Sequence, residues 1–323
     1  MCTAVNLTTS SHYFGRTLDL EYSYQEQAVI TPKNYVFNFS DKSSDYHYAI
    51  IGIATVVNNY PLYYDAANEK GLCIAGLNFP NNAYYSEPEK DKINLAPFEL
   101  IPYVLAGCQS VREAEKLLQN VNITNKNFSD DYKSTPLHWI ISDDKESITV
   151  EPLREELKIY KNAVGALTNN PPFDWHLTNL VNYINLTPNE PKNRFCDSLD
   201  LTHYSRGMGA AGLPGDYSSA SRFIKAAFVS NNSVSGNSES ESVSQFFHIL
   251  NSVAVPRGSV RLPNEREVIT VYSNCYNASK GRLYYTSYEN SQISCVDMNK
   301  EDLSGKDLLC YDLILNQQIK YQN

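Results

Sequence analysis

A cysteine stands second in the chain, directly after Met1, and Arg16 and Asp19 follow it as Arg-x-x-Asp. With Met1 removed, Cys2 would carry a thiol and a free α-amine on one Cα. Their ordinary pKa values are about 8.5 and about 7.7–8.0. Near neutral pH the amine can take the thiol proton and later hand it to a departing amine. One residue then supplies nucleophile, base and acid, as an N-terminal threonine can. A guanidinium near the sulfur favours thiolate, and a carboxylate near the amine can orient it. A bare Arg-x-x-Asp is equally what a surface ion pair on a turn looks like.

Other chemistry finds little support. The six histidines do not sit at metal-ligand spacings, and HExxH, GxSxG and Walker A patterns are missing. No metal or cofactor is therefore expected. His138, beside Trp139 in an apolar run, reads as a hydrogen-bonded core histidine, and His248 within "FFHIL" reads the same way. Gly207-Met208-Gly209-Ala210-Ala211-Gly212 matches GxGxxG, but a polar lead-in precedes it and Pro214-Gly215 follows. That context lacks the strand and helix a dinucleotide needs. A loop whose backbone closely approaches another segment is the better account.

The elements that must position Cys2 are mostly strands. "YAIIGIATVV" (48–57), "GLCIAGLNF" (71–79), "LHWIISD" (137–143) and "SITVEPLREELKIY" (147–160) read as strands. Two Tyr-rich arms of 268–289 flank Asn277-Ala278-Ser279-Lys280-Gly281 as a hairpin. Helices are predicted over 98–108, 110–121 (Ser110 as N-cap), 174–186, 218–230 and 243–254, with an exposed loop over 231–242. Strands interleaved with paired helices, without βαβ alternation, favour an α+β fold with mainly antiparallel sheets. A single domain over 1–323 is expected.

Bulk properties narrow the partners. Net charge is −9 over 323 residues, which argues against a nucleic-acid surface. Seven scattered cysteines without a CxxC pair argue against a disulfide framework or a zinc site. Residues 1–30 lack a basic start followed by an apolar stretch, and no apolar run approaches the roughly 18–20 residues that span a bilayer. No membrane association and a reduced cytoplasmic location are the expectations. The 24 tyrosines could line a pocket for an amphipathic ligand or simply sit half-buried on sheet faces.

Seven blocks occur in an order with a known counterpart: "MCT…FGRTLDLEYSY", "NEKGLCIAGLNFP", "LHWIISD", "GALTNNPPFDWHLTNL", "GLPGDYSSASRF", "FFHILNSVA" and "YTSYENSQI". Together they resemble the choloylglycine hydrolase family, specifically bacterial conjugated bile salt hydrolases, across essentially the whole chain. The resemblance implies the N-terminal nucleophile (Ntn) hydrolase fold, a four-layer αββα sandwich, with a mature chain starting at Cys2. It further implies Cys2 as nucleophile, Arg16 and Asp19 as its electrostatic and amine-orienting neighbours, and Arg222 of "SASRF" as a supporting arginine. Asn169 of "LTNNP" would donate its side-chain amide, and Asn78 of "GLNFP" its backbone N–H, to an oxyanion. Without the resemblance, Asn169 looks like a turn residue before Pro171.

The implied reaction is hydrolysis of the glycine or taurine amide of a conjugated bile salt, an anionic amphipathic substrate, through a thioester. Leu18, Tyr24, Val57, Tyr64 and Leu137 match positions that would hold the steroid, although each could be packing. Family members are commonly homotetramers. Two alternatives stay open: a penicillin V acylase-like amidase, whose members commonly carry tyrosine in place of Asn78, and a non-catalytic small-molecule binder of the same fold. Cys73 is expected to be a small buried filler.

Overall fold

The computed structural model describes Met1–Asn323. The strands of its two large sheets are β1 (Cys2–Thr8), β2 (His12–Leu20), β3 (Gln27–Thr31), β4 (Ile50–Val57), β5 (Tyr60–Asn68), β6 (Cys73–Asn78) and β7 (Leu137–Ser142). They continue with β8 (Ser147–Pro152), β9 (Leu157–Lys161), β10 (Ala166–Leu167), β11 (Ile269–Asn277), β12 (Arg282–Ser287), β13 (Ser294–Asp297) and β14 (Leu309–Asp312). One sheet runs β10-β1-β2-β11-β12-β13 and the other β9-β8-β7-β6-β5-β4-β3-β14. Every pairing within them is antiparallel.

The central strands are buried on both faces. In β2, every residue from His12 to Asp19 is buried, and β4 is buried from Ile50 to Thr55. Such strands lose the apolar–polar alternation of a half-exposed sheet. The reason is the layering. Helices α4 (Ser219–Asn232) and α5 (Glu239–Asn251) cover the six-stranded sheet, while α1 (Leu100–Gly107) and α2 (Val111–Leu118) cover the eight-stranded one. β1 and β2 touch β6 across the gap between the sheets. The fold is an α+β, four-layer αββα sandwich. The short helix α3 (Phe173–Leu180) packs beside α4.

One irregularity matters for the site. The pairing of β2 with β11 lapses between Thr17 and Phe14. There Gly15 lies so close to the backbone of Asn274 that any Cβ would collide with its carbonyl group. The side chain of Asn274 fills the lapse, its Oδ1 accepting the backbone N–H of Arg16 at 2.9 Å. Glycine at this point lets the strands approach while Arg16 keeps a fixed backbone.

Several sequence expectations change in detail. The stretch 147–160 forms two strands, because Leu153 N–H turns back to Glu156 O at 3.0 Å. The helix expected over 174–186 ends at Leu180 and gives way to a 3₁₀ turn over Val181–Tyr183. The exposed loop 231–242 is shorter than expected: Ser238 and Glu241 form a capping box that starts α5 at Glu239. His248 lies on the exposed face of α5, not in the core. Its apolar neighbours face inward while the helical period turns His248 outward. Gly209 is the close approach expected of the glycine-rich loop, its carbonyl accepting Thr187 N–H at 3.0 Å. Cys73 is fully buried.

Candidate active site

Cys2 opens β1, between β2 and β10, and is 3% exposed. Cross-strand partners share a face of a sheet, and faces alternate along a strand. Cys2 pairs with Leu18 and Ala4 with Arg16, so the side chains of Cys2, Arg16 and Leu18 share one face. That face looks onto the second sheet: Arg16 Nη1 donates to Gly76 O at 2.5 Å and Tyr64 O at 3.2 Å. Thr3, Thr17 and Asp19 lie on the opposite face, beneath the helices. From α4, Arg222 Nη1 donates to Thr3 Oγ1 at 2.7 Å and to the carbonyl of Cys2.

Asn169 lies two residues past the end of β10 and is brought beside the chain start by β10–β1 pairing. Its Oδ1 accepts the backbone N–H of Cys2 at 2.9 Å and Arg222 Nη2 at 2.8 Å. Its Nδ2 donates to Asn78 O at 2.7 Å. The Asn169 backbone is fixed as well, with its N–H on Ser219 Oγ at 2.9 Å and its carbonyl accepting His176 Nε2 at 3.0 Å.

The orientation of Asn78 follows from the ladder. Asn78 pairs with Leu137, and Phe79 N–H bonds Pro136 O at 2.8 Å. That bond makes Asn78 and Leu137 a non-hydrogen-bonded pair, so the N–H and C=O of Asn78 point away from β7. Leu137 N–H correspondingly turns outward, to the Tyr85 hydroxyl at 2.8 Å. On the far side, β5 accompanies β6 only from Cys73 to Ala75. Beyond that point the β6 edge is open to side chains, and Arg16 and Asn169 occupy it. The Asn78 N–H faces the same opening.

Two fully buried guanidiniums dominate the electrostatics. An unpaired buried charge costs several kcal/mol, so each must be matched. Burial alone would lower Arg16, but the charges of Cys2, Tyr272, Asp65 and Asp19 outweigh it and hold the guanidinium protonated. Asp65 Oδ2 lies 3.9 Å from Arg16 Nε. Burial pushes Asp65 up, opposed by Arg16, the hydroxyls of Tyr272 and Tyr276, and Asn274. Arg222 is lowered by burial, against the pull of Asp19 and Cys2. Arg16 Nη2 is buried without a hydrogen-bond partner.

Asp19 is fully buried, with Oδ1 accepting Thr270 Oγ1 at 2.6 Å and Oδ2 accepting Thr17 Oγ1 at 3.1 Å. Its backbone N–H and C=O bond Met1 O and Met1 N, at 2.9 and 2.6 Å. The partner of the Cys2 nitrogen here is Asn169 rather than the Asp19 carboxylate.

The residues expected around a substrate divide. Leu18 lies opposite Cys2, Leu137 opposite Asn78, and the Tyr64 carbonyl holds Arg16. Tyr64 also shares a hydrogen bond with Thr55 Oγ1 at 2.8 Å, and Thr55 donates to Tyr24 O at 3.1 Å. Tyr24 and Thr55 line a hollow of about 410 Å³. Val57 ends β4 opposite Tyr60. A concavity of about 520 Å³ between Lys92, Asn122 and Arg154 contains none of these residues. Sequence reasoning missed Asp65, Thr3, Thr270 and Ser219. Of these only Asp65 carried a signal, a lone acid inside the apolar strand "YPLYYDAAN".

The family model for linear amide C–N hydrolases, choloylglycine hydrolase family, matches residues 2–311. The chain belongs to this family. It is 51% identical to the bile salt hydrolase/transferase of Lactiplantibacillus plantarum over 97% of both chains. It is 40% identical to the bile salt hydrolase/transferase of Clostridium perfringens over 100% of both. A crystal structure of the C2A mutant of the C. perfringens conjugated bile acid hydrolase superposes with a TM-score of 0.93 at 40% identity, covering 100% of each chain. Penicillin V acylase from Agrobacterium tumefaciens superposes at 0.74 with 21% identity over 99% of this chain and 94% of its own, a likeness of fold. A choloylglycine hydrolase-family chain is a hydrolase of linear amide bonds.

Proposed function

We propose that the chain cleaves the glycine or taurine amide of conjugated bile salts through a thioester on Cys2. The observation that carries this reading is the convergence on Asn169: one carboxamide engages the Cys2 nitrogen, Arg222 and the Asn78 carbonyl at 2.7–2.9 Å. The relatives named as bile salt hydrolases support the substrate class.

In the proposed mature enzyme Met1 is gone and the Cys2 nitrogen is a free amine, still held by Asn169 Oδ1. The amine takes the thiol proton, and the sulfur attacks the amide carbonyl carbon. The oxyanion that forms is met by the Asn78 N–H and by the second hydrogen of Asn169 Nδ2. Losing one such donor typically costs about 10²–10³ in rate. The C–N bond then breaks, and the Cys2 ammonium gives its proton to the leaving glycine or taurine. Water, deprotonated by the same amine, attacks the thioester; the C–S bond breaks and the thiol recovers its proton. Arg16 holds the sulfur side charged and Arg222 pins the Cys2 carbonyl, while Asp19 lies behind them as the balancing carboxylate. Leu18, Tyr64, Leu137 and, beyond them, Tyr24 and Val57 would meet the steroid.

Residues 1–323 act as one Ntn hydrolase unit in this reading. Its seven cysteines are unpaired, which accords with a cytoplasmic location, and no helix is long and apolar enough to cross a membrane. A homotetramer is carried over from the family resemblance; light scattering on the purified protein tests it. The deciding experiment measures release of glycine, taurine and phenoxyacetate from glycocholate, taurocholate and penicillin V by wild type and Cys2→Ser. Turnover of the bile salts, lost in Cys2→Ser, is expected; a large preference for penicillin V would reverse the substrate assignment.

A further inference from the structure

His138 is the second residue of β7 and is fully buried. Its Cα partner on β6 is Leu77, next to Asn78. The imidazole stacks on Phe79, centroids 4.2 Å apart and planes 7° from parallel. Its Nε2 lies 3.0 Å from Thr168 O. A carbonyl only accepts, so Nε2 carries the proton. One ring therefore touches the residue after Asn78 and the residue before Asn169.

The ring is itself fixed. Nδ1 lies 3.0 Å from Glu151 Oε1, with one proton between the nitrogen and the carboxyl. The same carboxyl accepts the Phe173 N–H from the start of α3, at 3.1 and 3.2 Å. Glu151 is fully buried too. An apolar pair of this volume would pack without the desolvation penalty that a buried carboxyl and imidazole incur. What the polar pair adds is a directed bond to the backbone that leads into Asn169.

We propose that His138, held by Glu151, is a positioning residue that keeps the two oxyanion donors, Asn78 N–H and Asn169 Nδ2, in register. The inference rests on the oxyanion roles proposed above. His138 bonds Glu151 and Thr168 rather than Cys2, Asn78 or Asn169, so its effect is smaller than loss of a donor. Displacing a preorganised group by about 1 Å can cost on the order of 10²-fold, so a loss of roughly 10- to 100-fold in kcat is expected without His138.

The test uses four variants. His138→Phe keeps the stack on Phe79 and loses both polar contacts. His138→Asn keeps a nitrogen for Glu151 but cannot reach Thr168 O, and serves if the Phe variant does not fold. His138→Gln restores a donor toward Thr168 O, and Glu151→Gln keeps a hydrogen-bond partner for Nδ1. For each, kcat and KM on glycocholate are measured, with the affinity for the C24 aldehyde of cholic acid and for cholate itself. The aldehyde forms a tetrahedral adduct with the Cys2 thiol and samples the oxyanion site; cholate reports the steroid site alone.

His138→Phe and His138→Asn should lower kcat and aldehyde affinity by the same factor, leaving KM and cholate affinity within about twofold. His138→Gln and Glu151→Gln should recover most of the loss. Equal loss of aldehyde and cholate affinity, or unchanged kcat in His138→Phe and His138→Asn, would overturn the positioning role while wild-type turnover of glycocholate leaves the functional reading standing. An inactive wild type would overturn both.

Discussion

The carboxamide oxygen of Asn169 accepts the backbone N–H of Cys2 at 2.9 Å, joining the end of β10 to the first residue of β1. The same side chain gives its nitrogen to Asn78 O. In the proposed mechanism Asn169 therefore has separable duties, acceptor for the Cys2 nitrogen and donor toward the reacting oxygen. Asn169→Asp keeps the acceptor that faces Cys2 and Arg222 and removes the donor. Its kcat on glycocholate should fall by about 10²–10³ with little change in KM. Asn169→Ala removes both and should fall further. Steady-state kinetics on the pair decide it, and an Asp variant as fast as wild type would remove the donor role.

Met1 makes a second prediction. Its nitrogen and carbonyl bond the backbone of Asp19, so the Cys2 nitrogen in this chain is an amide. An amide nitrogen cannot accept the thiol proton. Protein isolated with methionine aminopeptidase inhibited should be folded, one methionine heavier by intact mass, and inactive. Aminopeptidase treatment should restore turnover in proportion to the methionine lost. Full activity with Met1 in place would point to a base elsewhere.

The Arg16–Asp65 pair makes a third. Asp65 receives two tyrosine hydroxyls, Asn274 and the edge of Arg16, all within the gap between the sheets. Asp65→Ala strands Arg16 as an unbalanced buried cation. Breaking a buried pair by removing one partner costs about 3–5 kcal/mol, and urea unfolding should show a loss of that size. Asp65→Asn keeps hydrogen-bonding capacity and should lose less. Equal stability of Asp65→Ala and wild type would mean that Arg16 is neutralised by another group.

The fate of these residues shows what a sequence can carry. Helix caps and apolar strands are local: Ser110 caps α2 where expected, its Oγ accepting Glu113 N–H at 3.3 Å. The proposed reacting residues were legible only as blocks in a familiar order, because no local rule separates Asn169 from any turn asparagine before a proline. Its place beside Cys2 depends on β10 lying beside β1, a pairing between residues more than 160 positions apart. Strands β1 and β2 lacked clear alternation since both faces are covered, one by helices and one by the second sheet. His248 was misplaced because "FFHIL" looks uniformly buried until the helical period turns one position outward. His138 is a bonded core residue, as expected, yet its link to the neighbours of both Asn78 and Asn169 needed the register of β6 against β7.

Acid should loosen the site through two histidines. Burial lowers both His12 and His176 from 6.5 to about 4. For His12 the charges of Asp143 and Asp144 oppose the shift; for His176 the Asn169 carbonyl opposes it, while His138 and Arg222 reinforce it. In each, Nδ1 is buried without a hydrogen-bond partner. Between about 6.5 and about 4 the unfolded chain binds a proton that the folded chain refuses, so stability rises with pH there. The stability is fully present above that window and is lost as pH falls through it, by at most about 3 kcal/mol per histidine. Asp65, raised in the fold, acts in the opposite sense just above its ordinary range. Urea midpoints at about pH 7 and about pH 4.5 should therefore drop in wild type and drop less in His12→Gln and in His176→Gln. His176 also donates to Asn169 O at 3.0 Å, so kcat should fall before global unfolding in wild type, and that early fall should shrink in His176→Gln but persist in His12→Gln. Identical acid profiles for all three proteins would assign the loss to other groups.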